Sequence, residues 1–93
     1  TILDPTNGYA WNNLGRIQYI LDRPDEALMS LKNATSLNPD FDQGWYNLGN
    51  VLYAGGKYDE AKEAYRKAVQ INPENSIARE NLKLLESRTI FDT

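Results

Sequence analysis

The chain has 93 residues, 41% of them hydrophobic and 25% charged, with a net charge of −3 and neither cysteine nor histidine. That length suffices for one modest core without covalent staples, while the missing residue types exclude disulfide and thiol chemistry and remove the commonest general base and zinc ligand. The mildly acidic balance argues against a nucleic-acid partner, which needs a basic stripe to neutralise phosphates, and no apolar run approaches the ~20 residues of a membrane-spanning helix, so no membrane insertion is expected.

Residues 1–7 read as a turn punctuated by Asp4-Pro5 and Asn7-Gly8. A first helix is predicted over residues 8–21. Its side chains divide into two stripes, one with Ala10, Trp11, Leu14, Gly15 and Ile17, the other with Tyr9, Asn12, Asn13, Arg16, Tyr19 and Ile20. Asp22-Arg23-Pro24 ends it, because Pro24 has no amide hydrogen and suits the first turn of the next helix. In that second helix, residues 24–37, Asp25 and Glu26 complement the positive end of the dipole. Ala27, Leu28, Leu31, Ala34 and Leu37 supply its buried face. Asn38-Pro39 closes the unit, and the pattern restarts with a third helix over residues 41–54, a Gly55-Gly56 turn, and a fourth helix over residues 58–71 with Ala61, Ala64, Tyr65 and Ala68 inward. A fifth helix is predicted over residues 76–88, with Ala78, Leu82 and Leu85 toward the fourth and Arg79, Glu80, Lys83 and Glu86 toward water. Residues 89–93 read as a loose tail.

Shifting the sequence against itself by 34 positions lays Trp45-Tyr46-Asn47-Leu48-Gly49 on Trp11-Asn12-Asn13-Leu14-Gly15. Between residues 8–41 and 42–75, 11 of 34 positions are identical, including Tyr53 with Tyr19, Asp59-Glu60-Ala61 with Asp25-Glu26-Ala27, Ala68 with Ala34, and Asn72-Pro73 with Asn38-Pro39. A repeat of this length points to stacked helical units, none of which buries its apolar face alone. Trp-x-x-Leu-Gly, two spaced alanines in the second helix and a closing proline resemble the tetratricopeptide repeat (TPR) family; Gln18 departs from the pattern where Leu52 keeps it. The resemblance implies an all-α, right-handed solenoid of about five antiparallel helices: repeat one over residues 8–41, repeat two over 42–75, and a C-terminal capping helix over 76–88. Leu3-Asp4-Pro5 stands 34 residues before Leu37-Asn38-Pro39, so residues 1–7 are expected to be the end of a preceding repeat or an N-terminal turn. The opening on Thr1 suits a piece of a longer chain.

By the same resemblance the first helix of each repeat lines a concave groove. Carried over position by position, that face has Tyr9, Asn12, Asn13, Arg16, Tyr19 and Ile20 from the first helix, Gln43, Tyr46, Asn47, Asn50, Tyr53 and Ala54 from the third, and Ile77, Glu80, Asn81, Leu84, Ser87 and Arg88 from the fifth. The candidate partner contacts among them are Tyr9, Asn12, Asn13, Arg16, Tyr19, Tyr46, Asn47, Asn50, Tyr53 and Asn81. Asparagine pairs with main-chain amides and tyrosine offers rigid area with a polar tip, so the expected function is a protein–protein interaction module that binds a partner's peptide or helix. The column Asn13, Asn47, Asn81 resembles the asparagine ladder with which some TPR proteins hold a ligand's main chain. Two alternatives stand beside it: amides that tie neighbouring helices together, or amides inherited from the repeat without a ligand. A carboxylate clamp for acidic chaperone tails would need Lys, Asn, Asn, Lys and Arg where this chain has Asn12, Arg16, Asn47, Ile77 and Asn81; only Asn47 fits.

Other functional classes are weaker. The Asp25-Glu26 and Asp59-Glu60 pairs sit at helix starts, where the dipole explains them, and no nucleophile–base or metal-loop spacing is present. The expectation is no enzyme, no cofactor and no metal. A structural or self-associating segment is the alternative, with homo-oligomerisation through the exposed N-terminal face of the first helix around Ala10 and Ile17; a substrate-recruiting arm of a larger enzyme is another. Partner identity cannot be read from these residues, and a cysteine-free soluble chain suits any compartment, the cytoplasm being the default.

Overall fold

The computed structural model describes residues 6–92, and the side chains of residues 6–87. Among them are five α-helices and no strand: α1 (Gly8–Ile20), α2 (Pro24–Leu37), α3 (Asp42–Ala54), α4 (Tyr58–Ile71) and α5 (Ser76–Asp92). The first two and the next two form hairpins, α2 meets α3, and α5 lies along α4. The shortest dimension, 17 Å, is that of two helix layers.

Local chemistry sets the boundaries. The Asn7 side chain accepts from the backbone N–H groups of Tyr9 and Ala10 and caps α1. The Asn75 side-chain oxygen accepts from the N–H of Ala78 at 3.1 Å and does the same for α5. Pro24 opens α2, followed by Asp25 and Glu26. The two hairpin turns contain Asp22 at φ 61° and Gly56 at φ 79°, which occupy the same place in the repeat. Glycine adopts that backbone freely, and aspartate is one of the few other residues that tolerates it. Asn38 and Asn72, each before a proline, leave the helical conformation and end α2 and α4.

α5 continues to Asp92, past residue 88 where the sequence places its end. No glycine or proline interrupts residues 86–92, so none of them breaks the helix. The opening segment Leu3-Asp4-Pro5 and Thr93 lie outside the described residues, as do the side chains of Ile90 and Phe91.

The core is the seam between the hairpins. Ala27, Leu31, Leu48, Val51, Leu52, Ala61, Ala64, Tyr65 and Leu85 form one buried cluster, against which Leu28, Trp45, Tyr46, Tyr58 and Leu82 pack partly buried. Leu37 departs from the expected inward face: in the last turn of α2, it is 41% exposed. Trp45 is half-buried, with its ring N–H donating to the Pro39 carbonyl at 2.8 Å. On α5, Ala78 and Leu85 are buried against α4, and Arg79, Glu80, Lys83 and Glu86 are exposed.

The departure at Gln18 is half of a paired change. The buried Ser30 hydroxyl donates to the Gln18 side-chain oxygen at 2.6 Å, and the same two places in the second repeat hold Leu52 and Ala64, both buried. A polar contact in one hairpin thus replaces an apolar contact in the other. Gln18→Leu alone removes the acceptor of a buried hydroxyl, a loss on the order of 1–3 kcal/mol, whereas Gln18→Leu with Ser30→Ala rebuilds the second repeat's pair. Chemical denaturation of the two single variants and the double variant is expected to show the double more stable than the sum of the singles by about 1–2 kcal/mol; additive effects would show that the contact contributes nothing.

Candidate functional site

α1, α3 and α5 occupy equivalent places in successive units and share one face. Two clefts lie side by side on it. The first, about 280 Å³, is lined by Arg16 of α1, Gln43, Tyr46 and Asn47 from the N-terminal half of α3, and Asn75 and Ile77 at the start of α5. The second, about 220 Å³, lies further along the same helices between Tyr19, Asn50, Tyr53, Asn81 and Leu84, and Tyr65 of α4 reaches it from below.

Polar contacts within the protein build this surface. Asn47 donates from its amide to the Asn12 side-chain oxygen at 2.9 Å, tying α3 to α1. The Tyr65 hydroxyl donates to the Asn50 side-chain oxygen at 2.6 Å. Burial pushes the Tyr65 phenol well above its ordinary pKa; the nearby Tyr46 adds to the rise, and a hydrogen bond from the Asn81 side chain to the phenol oxygen opposes it. The Tyr65 ring sits in the core, 2% exposed, with its oxygen held between two asparagines of different helices. No buried side-chain nitrogen or oxygen among the described residues lacks a partner. At the edge of the face, Asp42 accepts from the Asn72 and Asn75 amides, each at 3.2 Å, and fixes the start of α3 to the loop before α5.

Two models of the same repeat match the chain: one described as tetratricopeptide repeat over residues 43–75, and one described as TPR repeat over residues 15–55. The chain belongs to the tetratricopeptide-repeat family. Solved structures superpose on nearly all of it. A crystal structure of MamA protein aligns with 31% identity and a TM-score of 0.87 over 92% of this chain and 47% of that one, and another of MamA with 32% identity and a TM-score of 0.89 over 98% and 54%. This chain therefore spans about half the length of those structures. The first TPR of Spaghetti (RPAP3), bound to the HSP90 peptide SRMEEVD, aligns at 23% identity and a TM-score of 0.88 over 94% of this chain and 69% of that one, a likeness of fold. No curated protein matches the chain in sequence.

Seven of the ten candidate partner contacts line the clefts of this TPR face: Arg16, Tyr46 and Asn47 the first, Tyr19, Asn50, Tyr53 and Asn81 the second. Asn13 is exposed and lines neither. Tyr9 is exposed and packs edge-on against Phe41 with ring centroids 4.8 Å apart. Asn12 differs from expectation: it is 4% exposed, covered by the amide it holds, and supports Asn47 from beneath. Sequence reasoning assigned Tyr65 to the core alone and missed its hydroxyl. A signal was available, since Leu31 fills the same place in the first repeat without a polar end.

The described residues contain no group of three or more side chains suited to a metal, and none of their helices is long and apolar enough to cross a membrane.

Proposed function

We propose that the chain is a protein-interaction module that takes a peptide segment of another protein across the α1–α3–α5 face. The observation that carries this reading is the pair of adjoining clefts, lined by tyrosine rings and by asparagine amides only partly used inside the fold. With its oxygen bonded to Tyr65, Asn50 has amide hydrogens to offer; with one amide hydrogen on Asn12, Asn47 has its oxygen. Peptide complexes of related folds support the reading: RPAP3 is seen with the HSP90 peptide SRMEEVD and, in its second TPR domain, with the HSP70 peptide SGPTIEEVD.

Asn47 and Asn50 are poor probes of the face, because alanine at either place removes an internal partner as well as a ligand contact. Tyr19 and Tyr53, 41% and 44% exposed, are better ones. Peptides selected from a random displayed library on the wild type are expected to lose at least tenfold in affinity for the Tyr19→Ser, Tyr53→Ser double variant while its helical melting curve is retained. Binders indifferent to the change would place recognition elsewhere.

A second reading is self-association. Ile17 and Met29 are 49% and 68% exposed, and Met29 borders a cleft of about 270 Å³ with Trp11, Leu14, Gln18 and Ser30. Light scattering over a hundredfold concentration range separates the two: a constant monomer mass removes this reading.

A further inference from the structure

The two clefts differ in chemistry, and the difference specifies a ligand. Arg16 is the one charged side chain lining either of them among the described residues, and it forms no ion pair there. The other cleft presents the rings of Tyr19 and Tyr53, over the buried Tyr65, with Leu84, which is 69% exposed. Such a lining suits a flat aromatic side chain, through offset or edge-on ring contacts in addition to buried area.

The spacing follows from helix geometry. Along α3 the linings move from Tyr46 and Asn47 to Asn50 and Tyr53, and along α5 from Ile77 to Leu84. At 1.5 Å per residue this separates the two linings by about 7–10 Å. A polyproline-II segment returns a side chain to the same face every third residue, after about 9 Å, and leaves its backbone amides and carbonyls unpaired. Asn47 and Asn50, one turn apart between the clefts, offer partners for such a backbone; a bound helix would arrive with its own amides already satisfied.

Resting on the groove reading above, the geometry points to an extended peptide with an acidic and an aromatic residue three positions apart, the carboxylate against Arg16 and the ring in the tyrosine–Leu84 cleft. This is one internal acidic residue, distinct from an acidic tail held by a clamp.

The test uses capped synthetic peptides with the core Asp-Ala-Ala-Trp, its reversal Trp-Ala-Ala-Asp, the replacements Asn-Ala-Ala-Trp and Asp-Ala-Ala-Ala, and a seven-residue spacing of Asp and Trp. Anisotropy titrations are paired with amide chemical-shift mapping on the whole chain. One of the two three-residue orders is expected to bind about fivefold more tightly with Asp than with Asn, and tenfold or more tightly with Trp than with Ala. Arg16→Gln abolishes the Asp preference and leaves the Trp preference; Leu84→Ser, at an equally exposed place, weakens the Trp preference and leaves the other. Equal binding of Asp and Asn peptides, a preference for the seven-residue spacing, or indifference to Arg16→Gln overturns the proposal. If peptides still shift the α1, α3 and α5 amides in those cases, the interaction reading stands with another ligand chemistry. If none shifts them, both fall.

Discussion

Truncating Tyr65 to alanine is expected to cost about 3–5 kcal/mol, the range for an aromatic side chain removed from a core. In a chain of 93 residues this lowers the melting temperature by more than about 10 °C. The ring belongs to the buried cluster that joins α3, α4 and α5, and it packs 6.0 Å, centroid to centroid, from Tyr46. Its loss also deprives Asn50 of its hydroxyl partner and opens the floor of the second cleft. Tyr65→Phe separates the two contributions: it keeps the ring and gives up the hydroxyl, with an expected cost of about 1–2 kcal/mol. Urea denaturation of both variants checks the order; a Tyr65→Phe loss as large as that of Tyr65→Ala would show that the hydroxyl network, not the ring, holds the seam.

The same residue sets an alkaline limit. Because burial raises the Tyr65 pKa in the fold, the unfolded chain gives up this proton at lower pH, near 10, and proton release is coupled to unfolding. The contribution is fully present below about pH 10 and is lost as pH rises through the folded-state value. Tyr65→Phe is therefore expected to show the wild type's phenolate absorbance titration up to the pH at which helicity is lost, together with a weaker fall of stability above pH 10. A native-state titration with one phenolate fewer than the wild type would show that Tyr65 ionises freely within the fold.

These two roles of Tyr65 mark the limit of what the sequence disclosed. Helix boundaries were legible because prolines, glycines and caps act within a few residues of where they stand: Pro24 opened α2 where predicted, and Gly55-Gly56 turned the chain between α3 and α4. The repeat made the common face legible too, since residues 34 apart occupy equivalent places. What remained hidden depends on which side chain of one helix meets which of another. Asn12 and Asn13 are adjacent on α1, yet one is buried beneath Asn47 and the other is exposed. No periodicity within α1 decides that, because the deciding atom is an amide on α3. Gln18 looked like a lapse from the repeat until Ser30 appeared beside it, and the α5 extension went unseen because a chain end without a helix breaker resembles a tail.

The helix contact at the repeat glycines shows the same limit and leads to the second large effect. The repeat pattern suggests that Gly15 and Gly49 face the small residues Ala27 and Ala61. In the structure a methyl group at Gly15 would lie 2.6 Å from Leu31 Cγ and 2.9 Å from its Cδ2, and one at Gly49 would lie 2.6 Å from the Tyr65 ring. The glycines make room for large buried side chains of the opposing helices, Leu31 and Tyr65. Leu31 is fully buried, so Leu31→Ala is expected to cost about 2–5 kcal/mol, according to how far the hairpin closes around the void. Gly15→Ala in the wild type gains about 1 kcal/mol of helix propensity but drives a methyl group into the Leu31 branch, an overpacking cost of about 1–3 kcal/mol; the net is destabilising. With Leu31 already cut to alanine, the clashing atoms are gone. The new methyl group then occupies part of the void and keeps its propensity gain, so Gly15→Ala is expected to stabilise the Leu31→Ala protein by about 1 kcal/mol or more. A denaturation cycle over the four proteins reads this reversal of sign directly. If Gly15→Ala destabilises both backgrounds equally, the close approach at Gly15 is governed by the α2 backbone, where the Ala27 carbonyl stands 3.3 Å from the added carbon, and not by the leucine that fills the gap.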